Sequence, residues 1–119
     1  MSWEGEVEGI HQRRALVAAQ GGATAVEQQH ARGKLSVRER VETLLDKGSF
    51  REYGRVAGGA VLDDSGDIES FTPANYLVGF GKINARPVVV GGEDFTVKGG
   101  SPNASGLRKS VYAEHLAVT

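Results

Sequence analysis

The 119-residue sequence contains no cysteine. That excludes a disulfide framework, a thiolate metal site and a cysteine nucleophile. It also lacks an excess of either charge, since the formal net charge is −1. A chain so balanced carries no basic footprint for nucleic acid or for an anionic membrane surface. No stretch approaches the ~18 consecutive apolar residues of a spanning helix, and the charged N-terminus has no signal-peptide core. A soluble cytoplasmic protein is the default expectation.

What remains is of globular composition, with 39% hydrophobic and 24% charged residues. The length allows at most one modest domain. Glycine is the abundant residue. Its 17 copies are about twice the usual share, so loops and close backbone approaches are expected.

The first third reads as helical. Trp3, Val7, Ile10 and Val17 are spaced for one face, and Gly21-Gly22 stops that helix. Thr24-Ala25-Val26-Glu27 has the form of a capping box, and Gly33 is placed to end the second helix in a left-handed conformation. Ser36-Val37-Arg38-Glu39 is a second capping box. Behind it Val37, Val41, Leu44 and Leu45 form an amphipathic stripe, with Gly48 at a C′ position.

From Arg55 the pattern changes to strands. Val56 to Leu62 reads as one strand, and Asp63-Asp64-Ser65-Gly66-Asp67 as a polar turn. Tyr76 to Ile83 and Pro87 to Val97 read as paired strands joined by Asn84-Ala85-Arg86. Pro87 to Val90 is apolar on both faces, as expected of a strand buried between layers. From about Asn103 the chain turns helical, with Leu107, Val111 and Leu116 on one side. That helix meets Thr119 without a stop signal, so an incomplete piece of a larger α/β protein is expected.

Several local patterns invite chemistry and do not hold it. His11, His30 and His115 have no partner at ligand spacing, so no metal is expected. The acidic cluster from Asp63 to Glu69 lacks the alternating register and closing glutamate of a calcium loop. Gly33-Lys34-Leu35-Ser36 has neither the earlier glycine nor the preceding strand of a phosphate-binding loop.

Gly99-Gly100-Ser101 is different. It follows a strand and precedes a helix, so free backbone N–H groups converge there, with Lys98, Arg108 and Lys109 adding positive charge. Such a turn can bind a phosphate or polarise a carbonyl, while a plain change of direction remains the simpler reading. No nucleophile–base pair accompanies it, and no catalytic residue is assigned.

Taken together, the segments resemble one family. His30-Ala31-Arg32-Gly33-Lys34-Leu35-Ser36-Val37-Arg38-Glu39-Arg40, then Leu44 to Phe50, is similar to the N-terminal signature of biotin-dependent acyl-CoA carboxylase carboxyltransferase (β) subunits, the propionyl-CoA carboxylase β chain among them. Gly79 to Val88 resembles that family's first hairpin, and Asp94 to Ser101 its next strand and turn. Lys109 falls on the lysine usual in the following helix. The likeness runs from about Gln12 to the C-terminus. It departs from the family at Gly58 to Asn75, which is no short link, and at Pro102 to Gly106, where a leucine-glycine-glutamate pattern is usual.

The resemblance implies an α/β fold: N-terminal helices over residues 1–54, then over residues 55–119 the first strands and helix of an incomplete crotonase-like ββα spiral domain. It implies transfer of a carboxyl group from carboxybiotin to a short acyl-CoA in the complete enzyme, through backbone oxyanion holes carried by later segments. The biotin would ride on a partner carrier domain. Partners would be the biotin carboxylase or biotin carrier subunit and further copies of the same subunit. Phe95, Gly99, Gly100, Ser101 and Lys109 are the expected acyl-CoA-binding residues. Two alternatives stand beside this reading: a non-catalytic homologue serving assembly or CoA binding, and a biotin-dependent acyl-CoA decarboxylase subunit.

Overall fold

The computed structural model describes residues 2–97, 99 and 104–118. Three helices come first: α1 (Glu4–Ala18), α2 (Ala23–Ala31) and α3 (Val37–Leu44). Five strands follow, β1 (Arg51–Tyr53), β2 (Gly58–Leu62), β3 (Ile68–Pro73), β4 (Tyr76–Ile83) and β5 (Arg86–Glu93), and α4 (Ala104–Val118) closes the chain. The mixed α/β class and this order of helices, strands and helix are as expected.

α3 begins where its capping box requires. Ser36 Oγ accepts the Glu39 N–H at 3.3 Å, and Glu39 Oε1 accepts the Ser36 N–H at 3.0 Å. Val41 and Leu45 then bury against Leu77 of β4, with Val37, Phe50, Ile83, Val88 and Val90 around them. Leu44 does not join this core and stays exposed. Gly48 is no C′ residue, because the helix stops at Leu44 and Leu45 is already extended. Its left-handed φ of 73° serves instead the turn closed by the Ser49 N–H on the Asp46 carbonyl at 3.0 Å.

Two expectations about the first helices are corrected. α2 starts at Ala23 with Gly22 as N-cap, and no side chain caps it. Thr24 therefore lies inside the first turn, where its hydroxyl cannot take the cap position. On α1 only Val17 is buried, while Trp3, Val7 and Ile10 are exposed. That helix touches β3 and leaves most of its apolar stripe unmatched among the described residues. Gly33 ends α2 as expected, with φ 75° and its N–H on the His30 carbonyl at 2.8 Å.

β1, β4 and β5 form an antiparallel sheet in the order β1-β4-β5, and β2 with β3 forms a separate hairpin. Side chains alternate across β4. Leu77 faces α3, whereas Val78, 1% exposed, faces the side that α4 covers. The sheet is thus held between one N-terminal helix and the C-terminal helix.

β5 is less enclosed than its composition indicates. Pro87 is exposed and Val88, Val89 and Val90 are half-buried. It pairs with β4 alone and forms a sheet edge among the described residues. The strand expected to run to Val97 ends at Glu93, where Asp94 turns the chain. β3 was not expected at all. It occupies the Gly58–Asn75 departure, paired with β2 around the polar turn, in which Asp63 Oδ1 accepts the Ser65 and Asp67 N–H groups at 2.9 and 3.0 Å. β2 itself begins at Gly58, two residues later than the apolar run.

α4 buries a face other than the expected one. Gly106, Lys109 and Ala113 point inward, Leu107 and Val111 are exposed, and Leu116 is half-buried. Small residues at Gly106 and Ala113 let the helix backbone approach β4 closely, which a leucine face would prevent. A lysine is left in the middle of the contact.

Candidate functional site

The buried lysine defines the site. Lys109 is 9% exposed and borders a cavity of about 540 Å³. β1 and the turn after it supply Tyr53, Gly54 and Ala57; β2 begins with Gly58; β4 gives Val78. α4 contributes Ser105, Arg108 and Tyr112 besides Lys109 itself. Tyr53 stacks edge-on against Phe80 with ring centres 5.2 Å apart, and Tyr112 lies edge-on to Tyr53 at 6.4 Å. These rings make an apolar wall beside the amine.

Gly54 is required at this point. Its φ is 62°, and a Cβ there would lie 2.9 Å from Lys109 Cε. The missing side chain leaves room for the lysine stem.

The carboxylate that acts on Lys109, Glu52, is already engaged. Arg38 of α3 grips Glu52 of β1 through two parallel bonds, Nη1 to Oε2 and Nη2 to Oε1, both 2.9 Å. The Glu52 side chain is 8% exposed, so this is a well-shielded bidentate pair. Burial pushes the Lys109 pKa down; Glu52 pulls it up, and Arg38 pushes it down again, the net being a lowered value. Among the described residues Lys109 has no hydrogen bond or ion pair. Gln20 Oε1 is the one fully enclosed polar side-chain atom without a partner in that set, so Lys109 Nζ keeps some accessible surface.

The turn beyond β5 is built from buried polar groups. Asp94, 6% exposed, accepts the Thr96 N–H at 2.9 Å and the Thr96 hydroxyl at 2.6 Å on the same oxygen. Its own N–H donates to the Asn75 carbonyl at 2.8 Å. Thr96 Oγ in turn accepts the Gly21 N–H at 3.0 Å. A Cβ on Gly21 would fall onto the Thr96 carbonyl, so only glycine fits there. The corner between α1 and α2 is thereby fastened to the start of the turn.

The expected site residues do not all gather in one place. Lys109 lies in the cavity under α4. Phe95, 57% exposed, lines a separate groove on the α3 side with Val37, Leu44, Tyr76 and Gly92. Gly99 has a left-handed φ of 61° and open space where a Cβ would be. Gly100 and Ser101 lie outside the described residues, as do Lys98 and the stretch 102–103.

Sequence reasoning missed Arg38, Glu52, Tyr53 and Gly54. Arg38 was visible only as part of a capping box, and Glu52 stands 14 positions away with no local signal. Tyr112 did carry one, being one helical turn beyond Lys109. Elsewhere His30 is paired with Glu39 at 2.6 Å. No described helix is long and apolar enough to cross a membrane.

Comparison with known proteins places these features. Residues 28–119 match the family model of the carboxyl transferase domain. The chain is similar to the propionyl-CoA carboxylase beta chain of Cereibacter sphaeroides, 40% identical over 109 residues that cover 92% of this chain and 21% of the relative. It is 34% identical to the methylmalonyl-CoA decarboxylase subunit alpha of Veillonella parvula, covering 95% of this chain and 22% of the relative. In structure it is similar to the transcarboxylase 12S hexamer crystallised with methylmalonyl-coenzyme A and methylmalonic acid. The TM-score is 0.79 with 34% identity, over 98% of this chain and 23% of that one. The chain thus spans about a fifth of the length of the curated relatives it matches.

Proposed function

The chain belongs to the carboxyl transferase domain family, and from that membership we propose that it is the N-terminal part of a biotin-dependent acyl-CoA carboxylase carboxyltransferase subunit. In the complete enzyme a carboxyl group would pass from carboxybiotin, held by a partner carrier domain, to a short acyl-CoA. Residues 55–119 would open the crotonase-like domain, with the helices of residues 1–54 as its N-terminal segment; β1, although it precedes residue 55, pairs with β4 of that sheet. The partners are a biotin carboxylase or carrier subunit and further copies of the same chain. A cytoplasmic setting is part of the proposal.

The observation that carries this reading is the Lys109 cavity, present in a chain whose structural relative was crystallised with a CoA thioester. Its lining suits an acyl-CoA. Arg108 is exposed at the rim, where a guanidinium meets phosphate well. The tyrosine wall offers an apolar surface, and Lys109 can donate a hydrogen bond to a thioester carbonyl. Gly99, Gly100 and Ser101, which precede α4 in sequence, are proposed to bind acyl-CoA with Lys109, and Phe95 is proposed as a further contact from its separate groove. No residue of this chain is assigned a catalytic role or the task of holding biotin.

Calorimetric titration of the folded chain with propionyl-CoA tests the proposal. Saturable one-to-one binding is expected. Gly100→Val should weaken it more than Lys109→Ala, because a Cβ-branched chain blocks the approach while the lysine contributes one polar contact. Equal and undiminished binding by both variants would return the turn to a purely structural role. Similarity to the Veillonella decarboxylase subunit keeps the decarboxylase branch open as a second reading. An acyl-CoA carboxylation assay against a decarboxylation assay, run on the subunit assembled with its carrier, separates the two.

A further inference from the structure

We propose that Lys109 is a nucleophilic amine and a site of covalent N-acylation by acyl thioesters that enter the cavity under α4.

A buried lysine ordinarily survives as an ammonium by pairing with a carboxylate. Among the described residues the carboxylate acting on Lys109 is Glu52, and Arg38 already engages both of its oxygens at 2.9 Å. The amine is left beside a cation and an apolar tyrosine wall, without a hydrogen bond of its own among the described residues. Desolvation in an apolar pocket is one of the recognised ways to hold a lysine in its reactive neutral form. Here burial outweighs the opposing pull of Glu52, with Arg38 adding a smaller push in the same direction as burial. The direction of its pKa agrees, being lowered chiefly by burial.

Access is provided by the same geometry. The cavity holds about 540 Å³, enough for a short acyl group and its thioester. Gly54 leaves the lysine stem unobstructed at 2.9 Å from its virtual Cβ, and Nζ retains accessible surface. The charged and titratable groups that face the amine are Glu52 and Tyr53 from β1, Arg38 from α3, and Arg108 and Tyr112 from α4. The one carboxylate among them, Glu52, has each oxygen engaged by Arg38 and makes no ion pair with Lys109 among the described residues.

The step is balanced without any further reagent. The Lys109 Nζ lone pair forms a C–N bond to the thioester carbonyl carbon, and the C–S bond of the tetrahedral adduct breaks. The thiolate leaves and takes the proton lost by the nitrogen. The products are an N-acyl-lysine and the free thiol. Acylation removes the basic amine and fills the cavity, so a modified chain would bind acyl-CoA less well.

The inference rests on the acyl-CoA reading only for the identity of the natural donor, and the test keeps the two apart. The folded chain is incubated near neutral pH with propionyl-CoA, and separately with S-propionyl-N-acetylcysteamine, a thioester with no nucleotide. Peptide mass spectrometry then follows propionylation at Lys109 and at the exposed Lys34, Lys47 and Lys82. Lys109 is expected to react several-fold faster than each exposed lysine, the advantage shrinking as pH rises and the exposed amines deprotonate. Arg38→Met frees Glu52 to pair with the amine and should slow Lys109 several-fold while leaving the exposed lysines unchanged; near-UV circular dichroism verifies that this variant folds. Preference for Lys109 with the small thioester but not with propionyl-CoA upholds the nucleophile and counts against the CoA reading. Reaction at Lys109 no faster than at the exposed lysines, or only after the chain is unfolded in urea, overturns the proposal.

Discussion

Ala85 sits at a φ of 66°, a left-handed conformation that costs a residue with a Cβ about 1–2 kcal/mol. Asn84 before it has φ 49°, so the two-residue loop between β4 and β5 has both φ values positive, as a primed hairpin turn demands. Glycine is the usual second residue of such a loop. Alanine is held there by Asp46, whose two carboxylate oxygens accept the Asn84 and Ala85 N–H groups at 2.9 and 2.8 Å. Ala85→Gly should therefore stabilise the chain by about 0.5–1 kcal/mol, the relief of strain less the extra freedom of glycine in the unfolded state. A lower denaturant midpoint in that variant would contradict the strain. Asp46→Ala should cost about 1–3 kcal/mol, since two charge-assisted bonds are lost at one turn. Residues at this scale were legible only where they spoke to near neighbours. The hairpin could be read from Asn84-Ala85-Arg86, but its clamp comes from 38 positions earlier.

Among the elements, α3 was the most readable because its signals are local and agree. Capping box and start fall within a few residues and the structure keeps them, while of the stripe Val37, Val41 and Leu45 pack and Leu44 does not. Ser36→Ala should lower stability by about 0.5–2 kcal/mol, seen as a lower denaturant midpoint, and an unchanged midpoint would place the start of the helix elsewhere. Glu39 ties this cap to the end of α2 through His30, and that bond, with those from Ser36, lowers its pKa from 4.5 to about 2. A depressed carboxylate stabilises the fold fully above its ordinary pKa and loses that contribution as pH falls through the folded value. The joint's contribution should thus decline as pH falls from 4.5 to about 2, with Glu39 titrating well below 4.5 by carbon-detected NMR. A midpoint near 4.5 would show the carboxylate unpaired. Thr24 shows the limit of the same reasoning: the pattern was present, but a glycine two residues earlier took the cap. β3 carried no alternation strong enough to read, and its pairing with β2 supplies the order that its sequence lacks.

For the whole molecule, the sequence motifs gave the family and the α/β order, while the site's inner wall came only with the fold. Lys109 was legible as a matching residue; that it would be buried against Gly54, beside an Arg38–Glu52 pair drawn from two other elements, was not. Helix faces failed for a physical reason. Trp3, Val7, Leu107 and Val111 have the right spacing for burial, yet they remain exposed among the described residues, and small residues claimed the contact on α4. The most direct test is amide NMR of the labelled chain titrated with propionyl-CoA. The shifts are expected to concentrate at Tyr53, Gly54, Gly99, Lys109 and Tyr112, saturating together at one affinity. Shifts confined to α1 and α2, or none at saturating ligand, would contradict an acyl-CoA site beneath α4.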